Sequence, residues 1–283
     1  MWNKPVIDSH LHLLNPQLLN YPWGEIYPLM HKLFILQDYN KACRDIKIEK
    51  MVFVEVSRNP LQYLEEVEWV TSLAEHDPRI KGIVAWAPLE NGEKVCNELN
   101  KLLKNLLVKG IRRIIQYEED IEFCLRPDFI KGVQTLADYD FSFDICVSHL
   151  QLKNTVKLIN QCPEVKFVLE HIGKPDIKNQ VFDPWRKWIR ELSDIPGLYC
   201  KVSGMVTEAD LKYWKEDDLK PYLYHILECF GFDRVMYGGD WPMVLEASDY
   251  RNWFTTISNL VEEFSDEELN KLFYKNAQEF YSL

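Results

Sequence analysis

Apolar residues in this chain gather into short runs that alternate with longer stretches of helical periodicity. Eight runs have the length and composition of buried parallel strands, which are continuously hydrophobic because both of their faces are covered. The predicted strands are Val6–Leu11, Met51–Val56, Ile80–Ala87, Gly110–Ile115, Ser142–Val147, Lys166–Glu170, Leu198–Val202 and Arg234–Tyr237. The pattern therefore predicts a strand–helix–strand order throughout.

The segments between these runs have the apolar spacing of helices that cover a sheet. Leu61–Ala74 and Lys94–Leu107 place apolar residues three and four positions apart, and Asp183-Pro184 before Trp185–Leu192 predicts an N-cap followed by proline. Eight such units in 283 residues predict an α/β protein, a single-domain (β/α)8 TIM barrel over residues 1–283. The alternative is an open doubly wound sheet, but the first strand lacks the glycine-rich phosphate turn that would favour it.

Composition excludes several classes of function. A net charge of -11 argues against a nucleic-acid surface, which needs clustered Lys and Arg. The 7 cysteines are scattered and never in Cys-x-x-Cys spacing, so we expect neither a disulfide framework nor a thiolate zinc site, and a reducing cytoplasm fits. No apolar run approaches the roughly 20 residues of a membrane span. We expect a cytoplasmic protein with a small-molecule partner, and a homo-oligomer is compatible with the sequence.

Polar residues at the ends of the predicted strands are the candidates for chemistry, because barrel active sites form there. His10 and His12 are two residues apart in the first strand, which predicts that they and Asp8 project from one side. Two imidazoles held in this way are half of a site for Zn²⁺ or another divalent ion, although they could also be ordinary strand-end histidines. Asp240 after the last strand is a further ligand or a general base, the alternative being a helix N-cap.

His171 ends the sixth strand and is a candidate ligand or substrate contact, with a hydrogen-bonded core histidine as the alternative. The other candidate substrate contacts are Glu55, Arg112, Gln116, His149, Lys201 and Trp23. For the charged members of this group, the alternative is a salt-bridge network at the barrel rim. The segment Asn15–Gln37 is long for a βα loop and predicts a lid or wall over the site, or else a merely decorative loop.

Four motifs together resemble a known family. They are His10-x-His12, His171-Ile-Gly-Lys-Pro175, Tyr199-Cys-Lys-Val-Ser-Gly204 and Tyr237-Gly-Gly-Asp-Trp-Pro242. In this order they resemble the amidohydrolase superfamily of the amidohydrolase-2 type, in its branch of sugar-lactone hydrolases similar to L-fucono- and L-rhamnono-lactonases and related to pyrone dicarboxylate lactonase. The resemblance implies a distorted barrel and one divalent metal, zinc foremost, near His10, His12 and Asp240. Because the related pyrone dicarboxylate lactonases need no metal, the resemblance also allows hydrolysis without a metal ion.

Two positions depart from the family pattern. The lysine that bridges two metals in binuclear relatives has no counterpart in the region of Arg112, Arg113 and Gln116, so one metal or none is expected instead of two. Gly239 stands where serine is usual in this branch, which removes a hydroxyl beside Asp240.

The resemblance and the candidate residues lead to an expected reaction in carbohydrate metabolism. We expect a metal-dependent hydrolase that opens a small lactone, either a sugar aldonolactone or a carboxylate-bearing lactone, by attack of an activated water on the ring carbonyl. Asp240 is the expected base, and His171 completes the ligands or contacts the carbonyl. One alternative is a metal-dependent decarboxylase of an aromatic or unsaturated acid, and another is a sugar-acid binding protein without turnover.

Overall fold

Eight parallel strands form one sheet in chain order in the computed structural model, which describes residues 2–25 and 31–283. They are β1 Val6–Leu11, β2 Ile48–Val54, β3 Ile80–Ala85, β4 Val108–Ile111, β5 Ser142–Ile145, β6 Phe167–Leu169, β7 Tyr199–Val202 and β8 Val235–Tyr237. Past the end of β8, Asp240 N donates to His10 O and His12 N donates to Trp241 O, both at 2.7 Å. A parallel bridge between Leu11 and Trp241 completes the contact of the last strand with the first. The predicted (β/α)8 barrel is confirmed.

Helices follow the strands and cover the outside of the barrel. They are α1 Leu36–Ala42, α2 Tyr63–Ala74, α3 Cys96–Leu102, α4 Pro127–Thr135, α5 Leu152–Asn160, α6 Trp185–Ser193, α7 Glu216–Phe230, α8 Tyr250–Leu260, α9 Asp266–Asn270 and α10 Asn276–Phe280. A π-helical segment, Lys271–Lys275, joins α9 to α10. Across residues 2–25 and 31–283, no helix has both the length and the hydrophobicity that crossing a membrane requires.

All eight predicted strands are present, but several end earlier than predicted. The fourth apolar run continues to Ile115, whereas β4 ends at Ile111. Ile115 remains buried, and its N–H donates to Cys146 O in the next βα loop at 3.0 Å. Apolar residues beyond a strand therefore pack under the loops, and hydrophobicity alone cannot separate these two uses.

The predicted N-cap at Asp183 is wrong. Pro184 itself precedes the first turn of α6, with φ near -88°, and no side chain caps the helix there. The Asp183 carboxylate instead accepts a hydrogen bond from the Arg186 guanidinium at 2.9 Å.

Alternating side chains divide the apolar residues of the strands between two clusters, and a third cluster, Leu14, Leu19, Tyr21 and Val56, lies outside the strands. Met51 and Phe53 of β2 pack in the large cluster that includes the surrounding helices, whereas Val52 and Val54 belong to a separate one. Because successive strand residues face opposite sides, this second cluster lies inside the barrel. We call its strand residues the apolar layer: Ile7, Val52, Val54, Val84, Val168 and Met236. Residues of α10 cover this layer at the N-terminal end of the strands.

Candidate metal centre and catalytic pocket

An irregularity in β1 sets the direction of the two histidines. The pairing of β1 with β2 shifts register between Asp8 and Leu11. Asp8 consequently faces the helices, where its Oδ2 accepts hydrogen bonds from Tyr39 and Tyr250 at 2.8 and 2.9 Å. The expectation that Asp8 shares a side with His10 is wrong, because a shift of one residue reverses the face of a strand.

Hydrogen bonds orient both imidazole rings so that one nitrogen of each is free to bind a ligand. His12 Nδ1 is 2.7 Å from Val54 O, and a carbonyl only accepts, so Nδ1 donates. His10 Nδ1 is 3.1 Å from Glu170 Oε1, its shortest polar contact, and donates to that carboxylate. Burial lowers the pKa of His10 well below its usual value, although Glu170 opposes this, so the ring is neutral. Nε2 of each ring is therefore available as a ligand atom.

Asp240 brings a carboxylate to the same point from the end of β8. Its Oδ1 is 3.6 Å from His10 Nε2 and 3.5 Å from His12 Nε2, and the two nitrogens are 3.2 Å apart. Burial would raise the pKa of Asp240, but His171 and His12 outweigh it and lower the pKa, so the carboxylate is ionised. Its side chain caps no helix, because the next helical turn starts at Met243 with Pro242 before it.

The spacing of these three atoms fits a divalent ion. Nitrogen and oxygen ligands bind Zn²⁺ at about 2.0–2.2 Å, which in a tetrahedron places neighbouring ligand atoms roughly 3.3 Å apart. The observed separations of 3.2 to 3.6 Å lie close to that value. A second possible ligand group, formed by His10, Glu170 and His171, shares His10 with the first. The residues present therefore fit a metal held by imidazole and carboxylate.

A strained turn after β6 aims His171 at this centre. His171, Ile172 and Lys174 all have φ between 46° and 52°, the left-handed region that a β-branched isoleucine rarely adopts. Trp185 Nε1 donates to Ile172 O at 2.8 Å and holds the turn from α6. The His171 ring lies 3.0 Å from Ser203 Oγ through Nδ1, and burial lowers its pKa well below the usual value.

Two glycines leave room for these groups. Gly204 has φ of +60°, and a Cβ there would lie 2.5 Å from His171 Nδ1. A Cβ on Gly239 would overlap Tyr250 Cε2. Tyr250 thus occupies the space that a serine at position 239 would need, and its hydroxyl bonds to Asp8.

Beneath the histidines, the barrel interior carries five acidic and basic side chains. We call them the charged layer: Glu55, Arg112, Asp144, Glu170 and Lys201. Lys201 Nζ is 2.7 Å from Asp144 Oδ2 and 3.4 Å from Glu170 Oε1. Arg112 Nη1 is 2.9 Å from Glu170 Oε2, and Arg112 Nε is 2.9 Å from Glu55 Oε1.

Glu170 links this layer to the candidate metal centre. Burial would raise the pKa of Glu170, but the charges of Arg112 and Lys201 and the hydrogen bond from His10 together lower it well below its usual value. The ionised carboxylate accepts from His10 Nδ1 and thereby fixes the ring. Such an outer partner orients a ligand and increases its basicity.

Two of the four sequence motifs, one on the first strand and one after the last, thus contribute to a single set of candidate metal ligands. Comparison with known proteins identifies the family to which the chain belongs. The amidohydrolase family model matches residues 7–283. This chain belongs to the amidohydrolase family. An L-fucono-1,5-lactonase from Burkholderia multivorans is 28% identical over 281 residues, covering 93% of this chain and 90% of the relative. A 4-sulfomuconolactone hydrolase from Rhizobium radiobacter is 22% identical over 251 residues, covering 84% and 76%.

A solved structure is similar over the whole length of this amidohydrolase. It is an amidohydrolase from Burkholderia multivorans with bound zinc, 26% identical, covering 99% of this chain and 100% of that one with a TM-score of 0.88. The family expected from the four motifs is confirmed.

A cavity of about 330 Å³ next to the candidate metal centre is the candidate catalytic pocket of this amidohydrolase, and we call it the catalytic pocket. His12, His171 and Asp240 line it. The predicted substrate contacts Trp23, Arg112 and Gln116 also line it. Residues 26–30 of the predicted lid Asn15–Gln37 lie outside the described residues.

Three other predicted contacts lie elsewhere. Lys201 is fully buried in the charged layer, and Glu55 faces a neighbouring cavity. His149 Nδ1 is 3.0 Å from Lys174 O, so this ring lies against the strained turn instead of the pocket wall. The sequence predicted correctly that these strands end in polar residues, but it did not predict how deep in the barrel each polar side chain lies.

Several pocket residues were not predicted. Lys174 and Glu208 form an ion pair of 3.0 Å on the wall, and Glu246 lies on the wall as well. These three come from turns and loops, where no strand pattern marks them. Asp144 and Glu170 had a detectable signal, because each is a carboxylate within or directly after an apolar run.

Proposed function

We propose that this amidohydrolase is a metal-dependent hydrolase that opens a small polyhydroxylated lactone. The observation that carries the proposal is the convergence of His10 Nε2, His12 Nε2 and Asp240 Oδ1 next to the pocket that His12 and Asp240 line. The relatives named as lactonases and the zinc-bound relative support it. A divalent ion held by these residues, zinc foremost, would supply Lewis-acid polarisation of the lactone carbonyl.

Asp240 moves the proton in this reaction. As a water oxygen attacks the carbonyl carbon, the carboxylate accepts a proton from that water. As the ring C–O bond breaks, Asp240 returns the proton to the departing ring oxygen. The product is a hydroxy acid, which ionises at neutral pH and releases one proton to solution.

The charges of the pocket favour a neutral substrate. The described wall residues include two cations, Arg112 and Lys174, and three carboxylates, Asp240, Glu208 and Glu246. Both cations are already paired, Arg112 with Glu55 and Glu170, Lys174 with Glu208. A lactone with hydroxyl groups can bond to these paired groups, whereas a dicarboxylate would find no unpaired cationic side chain among the described wall residues. The sugar lactone therefore fits better than the carboxylate-bearing one.

The test combines metal analysis with a pH-indicator screen of neutral and anionic lactones. We expect His10→Ala to lose bound metal, and Asp240→Asn to lower kcat/KM by about 10²–10⁴-fold, the range for a general base. Asp233→Asn, an exposed aspartate paired with Lys271, is the matched control. Undiminished turnover in both site variants would refute the proposal. Release of CO₂ would favour decarboxylation, and binding without turnover would favour a sugar-acid binding protein.

A further inference from the structure

A second cavity adjoins the catalytic pocket. It has a volume of about 600 Å³ and lies among the loops that follow β2, β3 and β4. The two cavities share Trp23, Ser57, Ile114 and Tyr117 as lining residues. We call the second cavity the side pocket. The two cavities therefore meet at these four residues.

Aromatic rings form much of the side pocket. Trp23 and Tyr117 stack with centroids 5.2 Å apart at the border with the catalytic pocket. Trp86 lines only the side pocket, and the Arg58 guanidinium lies 5.0 Å from its ring centroid. Aromatic walls with a few fixed polar groups are typical of ligand sites, and they suit a ring with apolar C–H faces and polar edges.

Both cationic side chains that line the side pocket are paired with carboxylates. Arg113 is bonded to Glu90 at 3.1 Å and to Glu118 at 2.6 Å. Arg58 is paired with Glu55 at 3.3 Å. Since both cations have carboxylate partners, the side pocket offers many donors and acceptors but no excess positive charge. This argues against an anionic ligand and for a neutral one rich in hydroxyls.

Two buried nitrogens of Arg58 beside this cavity lack a hydrogen-bond partner. The Arg58 side chain is only 1% exposed, yet its Nε and Nη2 have no such partner among residues 2–25 and 31–283. A buried donor left unbonded destabilises the fold, because it has lost its water without gaining an acceptor. The guanidinium is held between Glu55 and the face of Trp86, and so it forms part of the fixed wall of the side pocket.

We propose that the side pocket binds a second sugar ring, so that the preferred substrate is a glycosyl-substituted aldonolactone, an aldobionolactone. The lactone ring would occupy the catalytic pocket and the glycosyl ring the side pocket, with the glycosidic oxygen beside Trp23 and Tyr117. The inference rests on the proposed lactone hydrolysis and adds no chemical step to it. Water still opens the lactone, and the glycosidic bond is left intact.

The test compares aldobionolactones with the aldonolactones that lack their glycosyl group, in matched pairs. We expect kcat/KM to be at least 10-fold higher for the disaccharide member of at least one pair. Trp86→Ala should lower the ratio of the two kcat/KM values by about 10-fold. Trp188→Ala is the matched control, because Trp188 is a partly buried tryptophan on α6 that lines neither cavity. It should leave the ratio unchanged.

A variant that fails to fold does not end the test. If Trp86→Ala is insoluble, Trp86→Leu and Glu118→Gln should each lower the same ratio by a smaller factor. Equal or higher kcat/KM for every monosaccharide lactone would overturn this inference while leaving the lactonase proposal intact. An equal change of the ratio in the Trp86 and Trp188 variants would also overturn it. Failure to hydrolyse any lactone would overturn both proposals.

Discussion

The apolar layer and the charged layer occupy the same barrel, and β2 and β6, with the residues directly after them, contribute to both. Val168 belongs to the apolar layer, and Glu170, two residues later, belongs to the charged one. The first layer packs hydrocarbon against α10, whereas the second packs carboxylates against Arg112 and Lys201. Buried ion pairs often contribute little net stability, so the charged layer is better explained by what it holds in place. Stability and chemistry are thus separated along the barrel axis.

Lys201→Met should have the largest effect, because it leaves Asp144 and Glu170 buried without their common partner. Removing one member of a buried pair costs about 3–5 kcal/mol. We expect a loss of that size in the free energy of unfolding, measured with urea, and weaker zinc binding in a titration. Lys166→Met breaks an exposed pair with Asp140 and should cost at most about 1 kcal/mol. Equal losses of unfolding free energy in the two variants would contradict the expectation that the buried Lys201 contributes more to stability than an exposed lysine.

Glu66 extends the comparison to pH, because it lies beyond Arg58 at the edge of the charged layer. Burial raises the pKa of Glu66 to about 7, although Arg58 opposes this and Glu55 adds to it. Between the usual 4.5 and about 7, the folded state keeps a proton that the unfolded state has lost, so stability falls as pH rises through this window. The loss is at most about 3 kcal/mol, at 1.36 kcal/mol per pKa unit.

Urea unfolding of the wild type and of Glu66→Gln between pH 4 and pH 8 checks this expectation. The wild type should lose more stability than the variant as the pH rises. Because other buried acids titrate in both proteins, only the difference between the two curves is informative. Parallel curves would show that Glu66 keeps its ordinary pKa.

Tyr281→Phe should have a smaller effect on the charged layer. The Tyr281 hydroxyl donates to Asp144 Oδ2 at 2.5 Å from the chain segment just after α10. Its loss should lower the unfolding free energy by about 1.5–3 kcal/mol, the value of a hydrogen bond to a charged group. Tyr274→Phe removes an exposed hydroxyl bond to Glu49 and serves as the control, with almost no change expected. Thermal unfolding of the two variants distinguishes a buried from an exposed bond.

Ile7→Val should have the smallest effect and should leave the chemistry unchanged. Deleting one methylene group from the apolar layer costs about 0.5–1.5 kcal/mol. We expect unaltered metal content and unaltered catalytic efficiency, measured on the lactone that the wild type hydrolyses best. A 10-fold or larger fall in that efficiency would mean that the two layers are not independent.

The sequence predicts the barrel well because parallel strands are buried on both faces and read as separate apolar runs. It predicts His10, His12 and Asp240 because each stands at the end of such a run. It misplaces Asp8, because the register shift in β1 has no signature in residue type. It also misses the contact between Tyr281 and Asp144, since hydrophobic patterning carries no information about pairs so distant along the chain.

Contacts that depend on backbone conformation are equally hidden. The left-handed turn that carries His171 includes Ile172, a residue whose type argues against that conformation. Only the surrounding packing, including the Trp185 hydrogen bond, imposes it. Local propensity therefore fails where the tertiary structure holds a functional group in place.

The junction of β8 with β1 has a consequence for the dynamics of the whole chain. Its two backbone hydrogen bonds involve His10, His12 and Asp240, the same residues that would ligate the ion. A bound ion would cross-link the two ends of the sheet and reduce the entropy gained when the ring of strands opens. Metal loading should therefore slow hydrogen exchange at the amides of His12 and Asp240 far more than at those of β4 and β5, on the opposite side of the ring.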